Sequence, residues 1–195
     1  MSKLELWLAR HGESEANLGN WSITPGNSPL SALGKKQAEQ MALKVDKQPD
    51  LLIISPFLRT KETAEPLLNR WPNTKTETWP IYEFIYLDPA RLHSLPMIEK
   101  KEQINSYWQK NDPNYQDSEN TESFAQFIQR VKVFHDNILK KQGFIFTIGH
   151  GHFLKAFQLG LKYGFDINSK WMSLYREKET ENPIKNTEIF QLYFN

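Results

Sequence analysis

Leu4-Glu5-Leu6-Trp7-Leu8-Ala9-Arg10-His11-Gly12-Glu13-Ser14-Glu15-Ala16-Asn17 decides the reading of this chain. A short apolar run breaks into arginine, histidine and glycine, and a helix-like stretch follows. A strand that ends this way delivers a guanidinium and an imidazole to the carboxyl edge of a sheet, where glycine lets backbone approach a ligand. One side chain matches anionic oxygens and the other offers a nucleophilic ring nitrogen, a combination suited to a phosphoryl group.

Two later segments repeat the arrangement. Leu51-Leu52-Ile53-Ile54 leads into Ser55-Pro56-Phe57-Leu58-Arg59-Thr60, and Phe144-Ile145-Phe146-Thr147-Ile148 leads into Gly149-His150-Gly151-His152. Nearly continuous apolar runs of this kind are expected of strands buried on both faces. Apolar runs alternate with segments of helical period along the chain, which predicts an α/β fold: a three-layer α/β/α sandwich with a mostly parallel central sheet. Strands are expected at about 4–9, 50–54, 75–79, 143–149 and 186–193. Helices are expected from a Ser31 cap to about Lys47, from Phe57 to Arg70 with Pro66 as a kink point, and from Glu122 to Lys141. A further helix opens after His150. Loops at the carboxyl ends of adjacent strands line one crevice in such a sheet, so Arg10, His11, Arg59 and His150 are expected to converge.

A chain of 195 residues reads as one domain, 1–195. Between about 80 and 120 the pattern loosens, with Pro80, Pro89, Pro96 and Pro113 among Tyr82, Phe84, Tyr86, Tyr107, Trp108 and Tyr115. Aromatics and prolines in so long a connection suggest an insertion packed over the sheet edge, the kind of segment that forms substrate lids. With 24 basic and 23 acidic residues the net charge of +1 gives no sign of a nucleic-acid or membrane partner. Cysteine is absent, which removes thiolate metal sites and cysteine nucleophiles. No signal-peptide core follows Met1-Ser2-Lys3 and no apolar run approaches the roughly 20 residues needed to span a bilayer, so a cytoplasmic setting is expected. Nothing in the sequence indicates an oligomeric state.

Arg10-His11-Gly12-Glu13-Ser14 with Asn17 resembles the opening motif of the histidine phosphatase superfamily, the phosphoglycerate-mutase-like enzymes. Pro29-Leu30-Ser31-Ala32-Leu33-Gly34 with Gln37-Ala38 is similar to the family's next segment, though Asn27-Ser28 stands where many members have an acidic residue. Ser55-Pro56-Phe57-Leu58-Arg59-Thr60 with Thr63-Ala64 resembles the loop carrying the second arginine. Gly149-His150-Gly151 resembles the late His-Gly motif, with glycine in place of the usual serine or threonine. The resemblance implies that His11 is the nucleophile, that Arg10, Arg59 and His150 bind the phosphoryl group, and that Asn17 lines the same pocket. It also implies an acid/base carboxylate some two dozen residues after the second arginine, where Glu83 stands.

These roles make physical sense. Two guanidinium groups suit a phosphomonoester carrying close to two negative charges. Their charges disfavour the imidazolium and so hold His11 available near neutral pH. Arg10, Arg59 and a protonated His150 would stabilise charge on the transferring group. One carboxyl, protonated before the first step, can serve as acid and then as base. The expected substrate is a small-molecule phosphomonoester, with no metal or organic cofactor. Arg91 is a further candidate for an anionic substrate, His152 is expected to face its helix or support His150, and His93 and His135 read as surface residues.

Three alternatives differ in kind. A metal-dependent hydrolase would use His150, His152, His11 and Glu13, although Arg10 would repel the cation. A phosphate-binding module without catalysis would need only the cationic loops. A phosphoglycerate mutase would need extra cationic contacts after the carboxylate, but Phe84-Ile85-Tyr86-Leu87-Asp88-Pro89-Ala90-Arg91-Leu92 does not resemble the mutases' Glu-Arg-His-Tyr-Gly signature. The phosphatase branch is therefore expected.

Overall fold

Five strands form one mixed sheet in a computed structural model that describes residues 3–194. The strands are β1 (Leu4–Arg10), β2 (Leu51–Ile54), β3 (Thr76–Thr78), β4 (Gly143–Gly149) and β5 (Ile189–Phe194), in the order β3-β2-β4-β1-β5. All neighbours run parallel except β5, which pairs antiparallel with β1. Alternation along the strands divides the core in two. Trp7, Ala9, Leu52, Ile54, Phe144, Phe146 and Ile148 face one side, covered by α1 (Ala32–Lys44) and α2 (Leu58–Arg70). Leu4, Leu6, Leu8, Leu51, Ile53 and Ile145 face the other, covered by α5 (Phe124–Ile138), α6 (Gly151–Tyr163) and α7 (Ser169–Glu181). The expected α/β sandwich is what forms.

The expected elements are present with adjusted ends. Ser31 caps α1 through its side chain, but the helix stops at Lys44, because Val45 turns extended and buries itself under the sheet. Pro66 sits inside α2, which continues to Arg70. Helix α5 starts at Phe124 rather than at Glu122, since Ser123 and Gln126 exchange a reciprocal capping box. The stretch of loosened pattern contains two helices, the six-residue α3 (Pro89–Ser94) and the 14-residue α4 (Met97–Lys110). Two of its prolines begin helices instead of ending them: Pro89 is the first residue after the Asp88 cap, and Pro96 precedes Met97. Ile81, Phe84, Leu87, Leu92 and Tyr107 of this stretch are buried in the same core as α5 and α6. Helix α7, not among the expected elements, buries Trp171, Met172 and Tyr175 on one face.

Register positions the site. Arg10 pairs with Gly149 and Ile54 with Ile148, so the carboxyl ends of β1, β4 and β2 lie side by side. The ladder runs slightly past the strands, with His11 N donating to Gly149 O at 3.0 Å. His11, Ser55 and His150 are thereby delivered to one rim.

Candidate functional site

The loop after β1 is fastened to both helices of the α1–α2 layer. Gly12 N donates to Thr63 Oγ1 at 3.1 Å, Glu13 N to Gln37 Oε1 at 2.8 Å, and Ser31 Oγ to Glu13 Oε1 at 2.7 Å. Backbone also approaches backbone here: a Cβ on Gly34 would sit 1.9 Å from Glu13 O, so only glycine permits the contact. The segment Pro29 to Gln37 thus serves to hold the Arg10–Glu13 turn in place. Thr63 and Gln37 belong to the sequence motifs, but the motifs alone gave them no task.

His11 is buried, with Nδ1 2.6 Å from its neighbour Gly12 O and Nε2 accepting from Arg59 Nε at 3.1 Å. Because the guanidinium can only donate, Nε2 carries the lone pair and Nδ1 the proton. Burial first, then the charges of Arg59 and Arg10, hold the imidazole well below its ordinary value of 6.5. Arg59 also donates to Pro25 O at 2.8 Å, and burial brings its guanidinium down to about 10, still cationic near neutrality. Arg10 donates from Nη1 to Ile184 O at 2.7 Å, while its buried Nε has no protein partner among the described residues. A Cβ on Gly151 would lie 3.3 Å from that Nε, so the glycine leaves room for the guanidinium.

His150 is fully buried behind His11, the two ring centroids 5.0 Å apart. Its Nε2 lies 2.8 Å from Ser55 Oγ and its Nδ1 has no partner among the described residues. The expectation of a protonated His150 is corrected for the ligand-free protein: burial, then Arg59 and the other surrounding groups, hold it well below 6.5. Ser55 was quoted in the sequence without a role; the pairing of Ile54 with Ile148 is what brings it to His150.

Asn17 is exposed, and its Oδ1 accepts from Ser14 N at 3.0 Å and Ser14 Oγ at 3.1 Å. Asn186 spans the strap between α7 and β5 to donate to His11 O at 2.9 Å. No motif marks Asn186, because it lies 175 positions from its partner and outside every strand exit.

Glu83 approaches from the α3–α4 side. Its Oε1 accepts from His152 N at 3.1 Å and from Phe84 N at 3.1 Å, and Oε2 has no protein donor among the described residues. Its neighbourhood is held by Arg130, which pairs with Glu122 and donates to Tyr82 O at 2.8 Å and Pro80 O at 3.1 Å. The same guanidinium lies 3.7 Å from the Tyr82 ring centroid, and Tyr82 stacks on Phe57 beside His150.

A cavity of about 390 Å³ opens on this rim, lined by Arg10, His11, Asn17, Arg59 and Glu83. His150 is not in its wall and stands one layer behind. His152, expected to turn to its helix or to His150, does neither: it lines the cavity with Nδ1 2.7 Å from Tyr175 Oη. Arg91 is outside, paired with Asp117 on the surface, and exposed His93 lies against Trp21 O. The donor set of a metal-dependent hydrolase is not assembled, since His150 faces Ser55 and His152 faces Tyr175. Among the described residues no group of three or more His, Asp or Glu is placed to hold a metal ion.

No helix among the described residues is long and apolar enough to cross a membrane. The chain is 29% identical over 132 residues to the adenosylcobalamin/alpha-ribazole phosphatase of Escherichia coli (strain K12), covering 67% of this chain and 64% of that protein. It is 43% identical over 63 residues to a probable phosphoglycerate mutase of Proteus mirabilis (strain HI4320), covering 32% of this chain and 29% of that one. The matched segments thus span less than two thirds of either relative. The fold is that of the alpha-ribazole phosphatase from Shigella flexneri, with a TM-score of 0.75 at 23% identity over 98% of this chain and 91% of that chain. The family model of the histidine phosphatase superfamily (branch 1) matches residues 6–174, a span that takes in all three strand exits, and the chain belongs to that superfamily.

Proposed function

We propose that the chain is a phosphomonoester hydrolase acting through a phosphohistidine on His11. The observation that carries this is the state of His11: a neutral ring whose Nδ1 proton is held by Gly12 O, leaving the Nε2 lone pair beside Arg59 on the cavity wall. Arg10 and Arg59 grip the phosphoryl oxygens, the unpaired Nε of Arg10 supplying a donor ready for an anion. Nε2 attacks phosphorus as the ester P–O bond breaks, and a protonated Glu83 gives its proton to the leaving alkoxide. Water then attacks phosphorus as the N–P bond breaks, and Glu83 takes the proton of that water. Phosphate binding would raise the proton affinity of His150, which then joins the arginines in stabilising the equatorial oxygens. Asn17 completes the wall.

The same reading treats the chain as one domain with residues 80–120 covering the site, in a cytoplasmic setting compatible with the absence of cysteine. A mutase has the Proteus relative in its favour. Among the described residues no lysine or arginine besides Arg10 and Arg59 lines the cavity to hold a second phosphate, which favours hydrolysis. Turnover of phenyl phosphate with release of inorganic phosphate, abolished in His11→Ala and unaffected by chelator, tests the proposal. Transfer between phosphoglycerate isomers without net release would overturn it in favour of the mutase.

A further inference from the structure

The cavity is far larger than a phosphoryl group, and its two ends differ in chemistry. Its cationic wall residues, Arg10 and Arg59, belong to the His11 end. Beyond Glu83 the wall is mainly Trp21, Phe84, Tyr86, Leu87, Leu92 and Ile104, interrupted by the side chains of His152 and Glu179.

The state of His152 follows from its partners. The Tyr175 hydroxyl is completely buried and burial raises its pKa well above 10, so it keeps its single proton. The hydroxyl lies 2.7 Å from His152 Nδ1 and 3.2 Å from His152 O, so it ties down the inner side of the ring. His152 Nε2 has no protein partner among the described residues and is free to pair with a hydroxyl. Its ring sits edge-on to Tyr86 at 6.1 Å and to Phe84 at 6.3 Å. Glu179 has an 18% exposed side chain, with Oε2 2.9 Å from Arg176 Nη1 and Oε1 without a protein donor among the described residues. Arg176 leans over the Trp108 ring at 5.0 Å and is not part of the wall.

We propose that this half of the cavity is a leaving-group subsite for an alcohol with an apolar or aromatic body that carries hydroxyl or ammonium donors and no second anionic group. The inference deepens the phosphatase reading and rests on it. Apolar walls take the body, His152 Nε2 pairs with a hydroxyl and Glu179 Oε1 takes a donor, so the polar atoms of the wall are paired. A carboxylate or second phosphate would instead meet the negative charge of Glu83 and Glu179, while among the described residues no lysine or arginine besides Arg10 and Arg59 lines the cavity, a built-in rejection. A phosphatase with such a wall consumes products of kinases or phosphotransferases acting on alcohols of this kind.

Four non-hydrolysable probes test this by calorimetry: 4-(aminomethyl)phenyl, 4-(hydroxymethyl)phenyl, phenyl and 4-carboxyphenyl phosphonate. The wild type is expected to bind the amine and the alcohol better than phenyl and the carboxylate worst, with about tenfold or more between the amine and the carboxylate. Glu179→Gln should shrink that ratio by about threefold or more, with unfolding checked by thermal melt. His152→Ala should erase the advantage of 4-(hydroxymethyl)phenyl over phenyl phosphonate, which provides a second reading if the Glu179 variant does not fold. Equal binding of the amine and the carboxylate, or a ratio that survives Glu179→Gln, overturns the subsite. If phenyl phosphate is still turned over in that event, the phosphatase reading stands without it. A wild type that binds none of the phosphonates overturns both.

Discussion

The two sides of the cavity are built by different means. Arg10, His11 and His150 sit at strand exits whose spacing is set by the β1–β4–β2 ladder, and Arg59 stands in the first turn of α2. Glu83 sits in a segment without regular structure, held by Arg130, by the N-terminus of α6 and by stacked rings. Strand register therefore sets the spacing of the phosphoryl end, with Thr63, Gln37 and Asn186 fastening its loop, whereas no strand register reaches the proton-transfer end. The second should be the more sensitive of the two to residues that never touch substrate.

The largest expected effect is His11→Ala, which should lower turnover by about 10⁴-fold or more on every phosphomonoester while leaving the melting behaviour near wild type. Steady-state rates on a good and a poor leaving group check this, and a residual wild-type rate would remove His11 as nucleophile. Glu83→Gln should separate the two ends: a loss of roughly 10² to 10⁴ for alkyl phosphates and much less for p-nitrophenyl phosphate. Equal losses on both would take the proton-donor role away from Glu83. Arg59→Ala should cost about 10² to 10³ in kcat irrespective of leaving group, the scale of one lost anion donor. Arg130→Lys keeps the charge but loses the forked grip on Glu122 and on the Pro80 and Tyr82 carbonyls. About a tenfold loss confined to poor leaving groups is expected from a displaced Glu83, and a uniform loss would point to a general packing defect.

The smallest effect concerns pH and stability. Both histidines have folded pKa values below the ordinary 6.5, so above that pH neither state binds the extra proton and nothing is gained or lost. As pH falls below about 6.5 the unfolded chain takes up protons that the native state refuses, and stability declines by about 1.4 kcal/mol per pH unit for each histidine. Urea titrations between pH 7 and 5 should show a slope that is roughly halved in His150→Gln. An unchanged slope would mean that His150 is not held neutral.

The phosphoryl end was legible because each of its residues follows an apolar run, and one short-range pattern repeated three times implies convergence. The proton-transfer end was only partly so. Glu83 was placed by resemblance, but its supports Arg130 and Glu122 lie some forty residues away on an unrelated element, and nothing local marks them. The same applies to Asn186, whose contact depends on how the chain returns to β1. The neutral His150 of the ligand-free protein was not legible, because sequence reveals neighbours in the chain but not the thickness of protein over a ring. The helices at 89–110 were missed for a related reason: prolines read as breaks wherever the capping residue before them goes unweighed.

Strand β5 closes the sheet against β1, and the strap before it carries Asn186 to His11 O and Ile184 O to Arg10. On the ribosome these residues emerge after everything else that touches the nucleophile. Four parallel strands and most of the interior precede the strap in the chain, yet Arg10 Nη1 and His11 O find these two partners only there. The order of two groups at the heart of the site is thereby tied to a segment far from them in sequence.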